Sequence, residues 1–231
     1  MNVALVVAAG NGSRMKNLDI PKQFLLINEK PLFIYSIEAF ERNNNIDAII
    51  VVTSQDYLEQ VKKWCDQFKL NKVKDVVVGG TSRQQSVYHG LLRIKQLSAN
   101  PDSDIVLIHD AARPLVSQDI IDSNILASQK YDAVATAINA NDTIIRSKDG
   151  QIIEDVPLRK ELYQSQTPQS FKLSLILKAH ESAKNNELNE ATDDAQLVLA
   201  TGEKVHLVKG EKTNFKITTA DDLVILNVLL K

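Results

Sequence analysis

"VALVVAAGNGSRM", residues 3–15, begins as an unbroken apolar run and breaks into two glycines, a serine and an arginine. A strand covered by helices on both faces reads as such a continuous run, because neither side of its pleat meets water. Four further runs share the habit, at 48–53, 75–78, 105–109 and 133–138, all rich in valine, isoleucine or alanine and none alternating apolar with polar. Helical stretches lie between them. One opens at Pro31, where a proline suits the first helical turn. Others follow Ser54, Ser82 and Ser117, whose hydroxyls are placed to cap a helix N-terminus.

Strand and helix alternate, so the sequence predicts an α/β fold: a doubly wound, mostly parallel, Rossmann-like sheet between two helix layers. The rhythm breaks at 139–161. There "DTIIRSKDGQIIEDV" (142–156) sets two β-prone runs around Asp149-Gly150, a strong hairpin signal, and predicts a protruding β-hairpin arm. A helix is expected from Lys172 to Lys184 and a polar loop over 185–192. Thr192 is expected to cap "DDAQLVLA" and Gly202 to end that helix. Val205–Val208 and Phe215–Thr218 read as strands, and Thr219 caps a last helix through Leu230. A chain of 231 residues suits a single domain over 1–231 with the arm as an appendage.

A net charge of −2 without a basic block gives no reason to expect a nucleic-acid partner. No apolar run approaches the ~18 residues of a membrane span, and no charged segment with a following apolar stretch opens the chain. The lone cysteine, Cys65, forms no intrachain disulfide, and the chain reads as soluble and cytoplasmic. Cys65 shares a helical apolar stripe with Tyr57, Leu58, Val61, Trp64 and Phe68, which assigns it to packing rather than to nucleophilic chemistry.

A glycine-rich turn after the first strand of such a sheet is a phosphate-binding position, because backbone N–H groups and the next helix's N-terminus point at the anion. Gly10 and Gly12 do not form a dinucleotide fingerprint, since Met15 stands where the third glycine belongs, and no acidic residue ends the second strand at "VVTSQD" (51–56). The G-K-[ST] of a P-loop is absent as well. What remains is a pair of glycines followed by two cations, Arg14 and Lys22 (in "PKQF", 21–24), an inventory suited to a triphosphate. "GGTSRQQS" (79–86) is a second glycine turn, rich in groups able to read a base edge. "HDAARP" (109–114) sets Asp110 at the C-terminal end of a strand, where open α/β sheets bind ligands. A carboxylate beside a triphosphate is a suitable ligand for one Mg²⁺. His109 reads as a packed strand residue; with no second His or Cys at ligand spacing, zinc is not expected. Lys216 in "NFKIT" (214–218) is placed mid-strand, within range of a phosphate.

These stretches, with "DTIIR", "QTPQSF", "TDDAQLV" and "NFKITTADDL", occur in an order that resembles the 2-C-methyl-D-erythritol 4-phosphate cytidylyltransferase family over about residues 2–229. The resemblance implies CTP and methylerythritol phosphate as substrates, Mg²⁺ as cofactor, and CDP-methylerythritol and pyrophosphate as products, in non-mevalonate isoprenoid synthesis. It implies that Ala8, Ala9, Gly10, Gly12, Ser13, Arg14 and Lys22 embrace the triphosphate. Gly80, Thr81 and Ser86 would hold the cytidine and Asp110 the metal. Ala111 and Arg113 would sit by the nucleotide or the acceptor, and Thr143 and Arg159 would grip the acceptor's phosphate. Thr167, Thr192 and Lys216 would complete the site. The resemblance also implies that the 139–161 arm swaps between two subunits of a homodimer, Arg159 serving the neighbour's site.

An acceptor phosphate is already anionic near neutral pH, so no serine, cysteine or base needs activating. The work is bringing anions together and stabilising charge as pyrophosphate leaves. Arg14, Lys22 and Lys216 are therefore the expected catalytic cations. The acceptor stays open between two branches. "NANDT" (139–143) and "EDVPLR" (154–159) depart from the family's usual pattern, and "PLRKELYQSQTPQSF" (157–171) is similar to the sister enzymes that use ribitol 5-phosphate for teichoic-acid precursors, whereas "AAG" (8–10), "HDAARP", "SVYHGL" and "TDDAQLV" are similar to the methylerythritol branch. A CTP-binding module without turnover is a third reading, against which the cation set weighs.

Overall fold

The computed structural model describes residues 1–10, 20–186 and 191–230. Its strands are β1 (Asn2–Ala8), β2 (Leu26–Ile27), β3 (Lys30–Pro31), β4 (Ala48–Thr53), β5 (Val73–Val78), β6 (Ile105–Asp110), β7 (Ala133–Asn139), β8 (Tyr163–Lys172) and β9 (His206–Lys209). Its α-helices are α1 (Leu32–Glu41), α2 (Leu58–Gln67), α3 (Arg83–Leu97), α4 (Gln118–Ser128), α5 (Leu173–Asn185), α6 (Asp194–Ala200) and α7 (Ala220–Leu229). The main sheet has seven strands in the order β5-β4-β1-β6-β8-β7-β9. β5, β4, β1 and β6 pair in parallel, as do β7 and β9, while β8 runs antiparallel to both its neighbours. The expected doubly wound, mostly parallel sheet is therefore present, and among the described residues no helix is long and apolar enough to cross a membrane.

The two faces of β1 explain its unbroken apolar sequence. Ala4, Val6 and Ala8 pack into a core with α1, α2 and α4, whereas Val3 and Leu5 pack into another with α3, α5 and α6. Burying each larger apolar side chain contributes roughly 1.5–3 kcal/mol, so every residue of the strand is under pressure to be apolar. Cys65 lies in the first core, beside Val61 and the partly buried Trp64 and Phe68. Burial, with smaller contributions from Asp66 and Glu41, pushes its thiol up to about 12, in keeping with a packing role.

Ser82, Ser117 and Thr219 cap α3, α4 and α7 as expected, each side-chain oxygen accepting from a backbone N–H of the first turn. Gly202 takes φ +85° just beyond α6. Other expectations are corrected. Asp193, not Thr192, caps α6, its carboxylate accepting from Gln196 N. Ser54 makes no side-chain cap; a short 3-10 turn, Gln55–Tyr57, precedes α2. Residues 215–218 are not a strand, so Lys216 is not mid-strand. Their backbone neighbour is the turn after β6, met by one bond from Ile217 N to Ala112 O at 2.8 Å, and a single bond builds no ladder. The arm carries its predicted turn at Gly150, with φ +74°, but only one antiparallel bridge, Arg146 to Asp155, instead of a ribbon. Its Ile144, Ile145, Ile152 and Ile153 are 40–67% exposed. A lone two-stranded ribbon has too little to pack against to hold a longer ladder.

Candidate active site

The C-terminal ends of β1 and β6 and the turn after β5 open into a cavity of about 480 Å³. Ala8, Ala9, Gly10, Lys22, Gly80, Thr81, Ser86, Asp110, Ala111 and Lys216, all predicted from sequence, line it together with Gln23, Ser82 and Arg83. Gly12, Ser13 and Arg14 lie outside the described residues.

The mouth of the opening loop is stapled by Gln23, which is 4% exposed. Its Nε2 donates to Ala8 O and to Gly10 O, each at 2.7 Å. The 79–86 turn is held by its own polar groups. Ser86 Oγ donates to Ser82 O at 2.8 Å and accepts from Gly80 N at 3.1 Å, and Thr81 donates twice to Gln85 Oε1. Glycine is required here by crowding: a Cβ on Gly79 would stand 2.7 Å from both Ala9 Cβ and Ser86 Oγ, and one on Gly80 would collide with Gln85. Gly79 therefore packs directly against Ala9, just beyond the end of β1.

Lys22 Nζ donates to Ile217 O at 2.7 Å, and Lys216 Nζ lies 2.7 Å from Asp110 Oδ2. Asp110 Oδ1 meets Arg83 Nε at 3.2 Å, and Arg83 Nη1 reaches Asp194 Oδ2 at 2.8 Å. Burial works against ionising Asp110, and the charges of Arg83 and Lys216 outweigh it, holding the carboxyl well below the usual carboxylate range. Asp194 is likewise held low against its burial, by Arg83 and His180. Arg83 is the charged cavity-lining residue that sequence reasoning missed. Its signal was present: an arginine inside a glycine turn, at the first position of a helix, where an isolated cation opposes the helix dipole unless acidic partners hold it.

Beneath Asp110, His109 is fully buried against Phe40. Burial pushes its imidazole down to about 4, so the ring is neutral near pH 7. Nε2 faces Arg113 O at 3.1 Å and must carry the hydrogen, which leaves Nδ1 to accept from the Thr167 hydroxyl at 3.1 Å. Thr167 Oγ1 in turn accepts from Asp110 N at 3.1 Å. Thr167, expected to complete the site, thus links the buried His109 ring to the backbone of Asp110. Arg113 donates to Asn214 O at 2.7 Å and Ser165 O at 3.2 Å, bracing the segment that carries Lys216. Three other predicted residues do not line the cavity. Thr143 and Arg159 are exposed on the arm, Arg159 donating to Asn141 O at 3.1 Å, and Thr192 is exposed and bonded to Gln196.

Among the described residues no three acidic, histidine or cysteine side chains gather to hold a metal. Both Asp110 oxygens accept from cations, and each keeps a further lone pair. Such a group fits a divalent ion carried mainly by substrate phosphates and water, not one caged by protein.

The chain resembles known proteins along its whole length. A 2-C-methyl-D-erythritol 4-phosphate cytidylyltransferase of Clostridium botulinum (strain Loch Maree) is 41% identical over 231 residues, covering 100% of this chain and 97% of that protein. A ribitol-5-phosphate cytidylyltransferase of Lactiplantibacillus plantarum is 37% identical, covering 100% and 99%. The crystal structure of a 4-diphosphocytidyl-2C-methyl-D-erythritol synthase from Anaerococcus prevotii superposes with a TM-score of 0.84 at 31% identity, covering 100% of this chain and 96% of that one. Residues 2–231 match the IspD family, 2-C-methyl-D-erythritol 4-phosphate cytidylyltransferase. With Gly10, the 79–86 turn and a lysine pair gathered at one rim of a doubly wound sheet, the chain belongs to that family and is a nucleotidyltransferase.

Proposed function

We propose that the protein joins CTP to 2-C-methyl-D-erythritol 4-phosphate, giving CDP-methylerythritol and pyrophosphate for non-mevalonate isoprenoid synthesis, and that it acts in the cytoplasm. The observation that carries the reading is the convergence of Gly10, Gly80, Lys22, Asp110 and Lys216 on one cavity. An oxygen of the acceptor phosphate attacks the α-phosphorus of CTP; a new P–O bond forms, the bond to the bridging β-phosphate oxygen breaks, and its electrons leave with pyrophosphate. No proton has to be abstracted. Ala8, Ala9 and Gly10, continuing through Gly12, Ser13 and Arg14, cradle the triphosphate, while the 79–86 turn and Ala111 take the nucleoside. Lys22 and Lys216 neutralise the charge that accumulates as pyrophosphate departs. Asp110 and the triphosphate oxygens would hold Mg²⁺, which supplies further charge neutralisation.

Thr143 and Arg159 stand off the cavity on an arm with four exposed isoleucines. That supports a C₂ homodimer in which each arm docks on the partner, buries those side chains and brings Arg159 to the partner's acceptor phosphate.

Ribitol 5-phosphate is the second reading, favoured by "PLRKELYQSQTPQSF" and by the 37% identical relative. Pyrophosphate release from CTP, measured side by side with the two acceptors, decides between them. Faster turnover with the methylerythritol ester is the expected result. Preference for ribitol 5-phosphate reassigns the acceptor, and release with neither overturns the transferase reading in favour of a nucleotide-binding module.

A further inference from the structure

Arg83 is where the charges of the cavity converge. It is the first residue of α3, it lines the cavity, and its two bonding nitrogens point to different carboxylates. One end of that bridge is anchored. Asp194 is 1% exposed, and the N–H groups of Asp194 and Ala195 both donate to Gln169 Oε1, at 3.1 and 3.0 Å. The other end is functional, because Asp110 holds Lys216 at 2.7 Å.

We propose that Arg83 is a positioning residue for nucleotidyl transfer: its fork, seated on Asp194, fixes the Asp110 carboxylate so that Lys216 is aimed into the cavity. The inference rests on reading that cavity as the CTP site. A guanidinium presents its donors in a rigid plane, so binding Asp194 through Nη1 sets where Nε meets Asp110 Oδ1. Oδ2 then faces Lys216, and each oxygen keeps its further lone pair. Without the fork, Asp110 is free to turn both oxygens onto the lysine and swing it away from the phosphates. A lysine at position 83 would keep the charge, but as a point donor it would meet one carboxylate at a time. Because Arg83 acts through Asp110, its loss should appear in the rate of transfer more than in the binding of nucleotide.

The test compares wild type with Arg83→Lys, Arg83→Ala and Asp194→Asn by steady-state kinetics, thermal melting and calorimetric CTP binding. Arg83→Lys should melt and bind CTP much as wild type does, yet lose on the order of 10²-fold in kcat, the scale of a small misplacement of reacting groups. Added guanidinium should restore part of the kcat of Arg83→Ala, which repair of a merely structural fault would not do. If the Arg83 variants fail to fold, Asp194→Asn decides, since it keeps Arg83 and removes the charge of its anchor; a comparable fall in kcat with CTP affinity kept supports the proposal. A kcat within about twofold of wild type for folded Arg83→Lys or Asp194→Asn overturns it, as does a fall in kcat matched by CTP affinity. A wild type inactive with both acceptors would remove the CTP reading and this inference together, whereas an active wild type with unaltered variants removes this inference alone.

Discussion

Lys22 Nζ donates to the carbonyl oxygen of Ile217 at 2.7 Å, which ties the segment after the opening loop to the one that carries Lys216. Two cations far apart in sequence therefore line one cavity, their segments joined by this bond. Both substitutions should leave the fold intact and reduce turnover by on the order of 10²–10³, the scale of losing one well-placed electrostatic group. They should differ in kind. Lys216→Ala should act mainly on kcat, while Lys22→Ala, which also removes one of the bonds holding residues 215–218, should raise KM for CTP as well. Kinetics with a parallel melting curve checks this; a Lys22→Ala enzyme with wild-type kcat and KM would refute the phosphate assignment.

Gly79→Ala tests the contact of the 79–86 turn with Ala9. The added Cβ would stand 2.7 Å from Ala9 Cβ and from Ser86 Oγ, and neither is the loose end of a long side chain. Overpacking of this kind costs roughly 1–3 kcal/mol. The displaced turn should weaken CTP binding by at least tenfold in calorimetry, and unchanged affinity would show that the turn does not need its close fit against Ala9.

The parallel part of the sheet was legible because burial on both faces leaves a signature that composition cannot hide, as in "ALVVA" and "IIVV". β8 was not, and the reason lies in its side chains. Gln166, Thr167, Gln169 and Ser170 are buried, and hydrogen bonds compensate them: Ser170 Oγ donates to Asn124 Oδ1 at 3.0 Å, and Gln169 Oε1 takes the first N–H groups of α6. A strand satisfied by side-chain bonds shows no apolar run. Pro168, which cannot join the ladder, sits at the register shift opposite Ala135 and Ala137. In the site, glycines and cations were readable because their chemistry is carried by residue type. Arg83 and Gln23 were not singled out, since what they do depends on partners brought near only by the fold.

The arm yields a prediction for assembly. Ile152 and Ile153 are 67% and 57% exposed in the single chain. Burying an isoleucine contributes roughly 1.5–3 kcal/mol, about tenfold or more in a dissociation constant. The double change Ile152→Asp with Ile153→Asp should move the protein from dimer to monomer in sedimentation velocity and leave its melting of the isolated fold little changed. A wild type that sediments as a monomer would refute the docked arm.

Cys65 should be inert while the protein is folded. Its thiol is pushed up to about 12 by burial, with Asp66 and Glu41 adding to the effect, so almost no thiolate exists at pH 8. Iodoacetamide should label it only after denaturation. Complete labelling of the native protein within minutes, read by intact mass, would contradict the packing role.

Gln23→Glu is the sharpest probe of the opening loop, because it exchanges one heavy atom, the amide nitrogen for an oxygen, and changes almost no volume. The amide donates to Ala8 O and Gly10 O at 2.7 Å each. An ionised carboxylate has no hydrogen to give, so it would face two carbonyl oxygens and leave both unsatisfied, at about 1–3 kcal/mol for each group stranded in a buried place. The same surroundings favour the neutral acid, which raises the carboxyl's pKa and restores one donor as pH falls. The folded pKa would then exceed the unfolded one, so the stability linked to this group is retained below the unfolded pKa and lost as pH rises through the folded value. The variant should melt lower than wild type at pH 8, recover part of the difference at pH 6, and show its weakest CTP binding at the higher pH. Equal melting of the two proteins at both pH values would mean that the staple does not hold the loop.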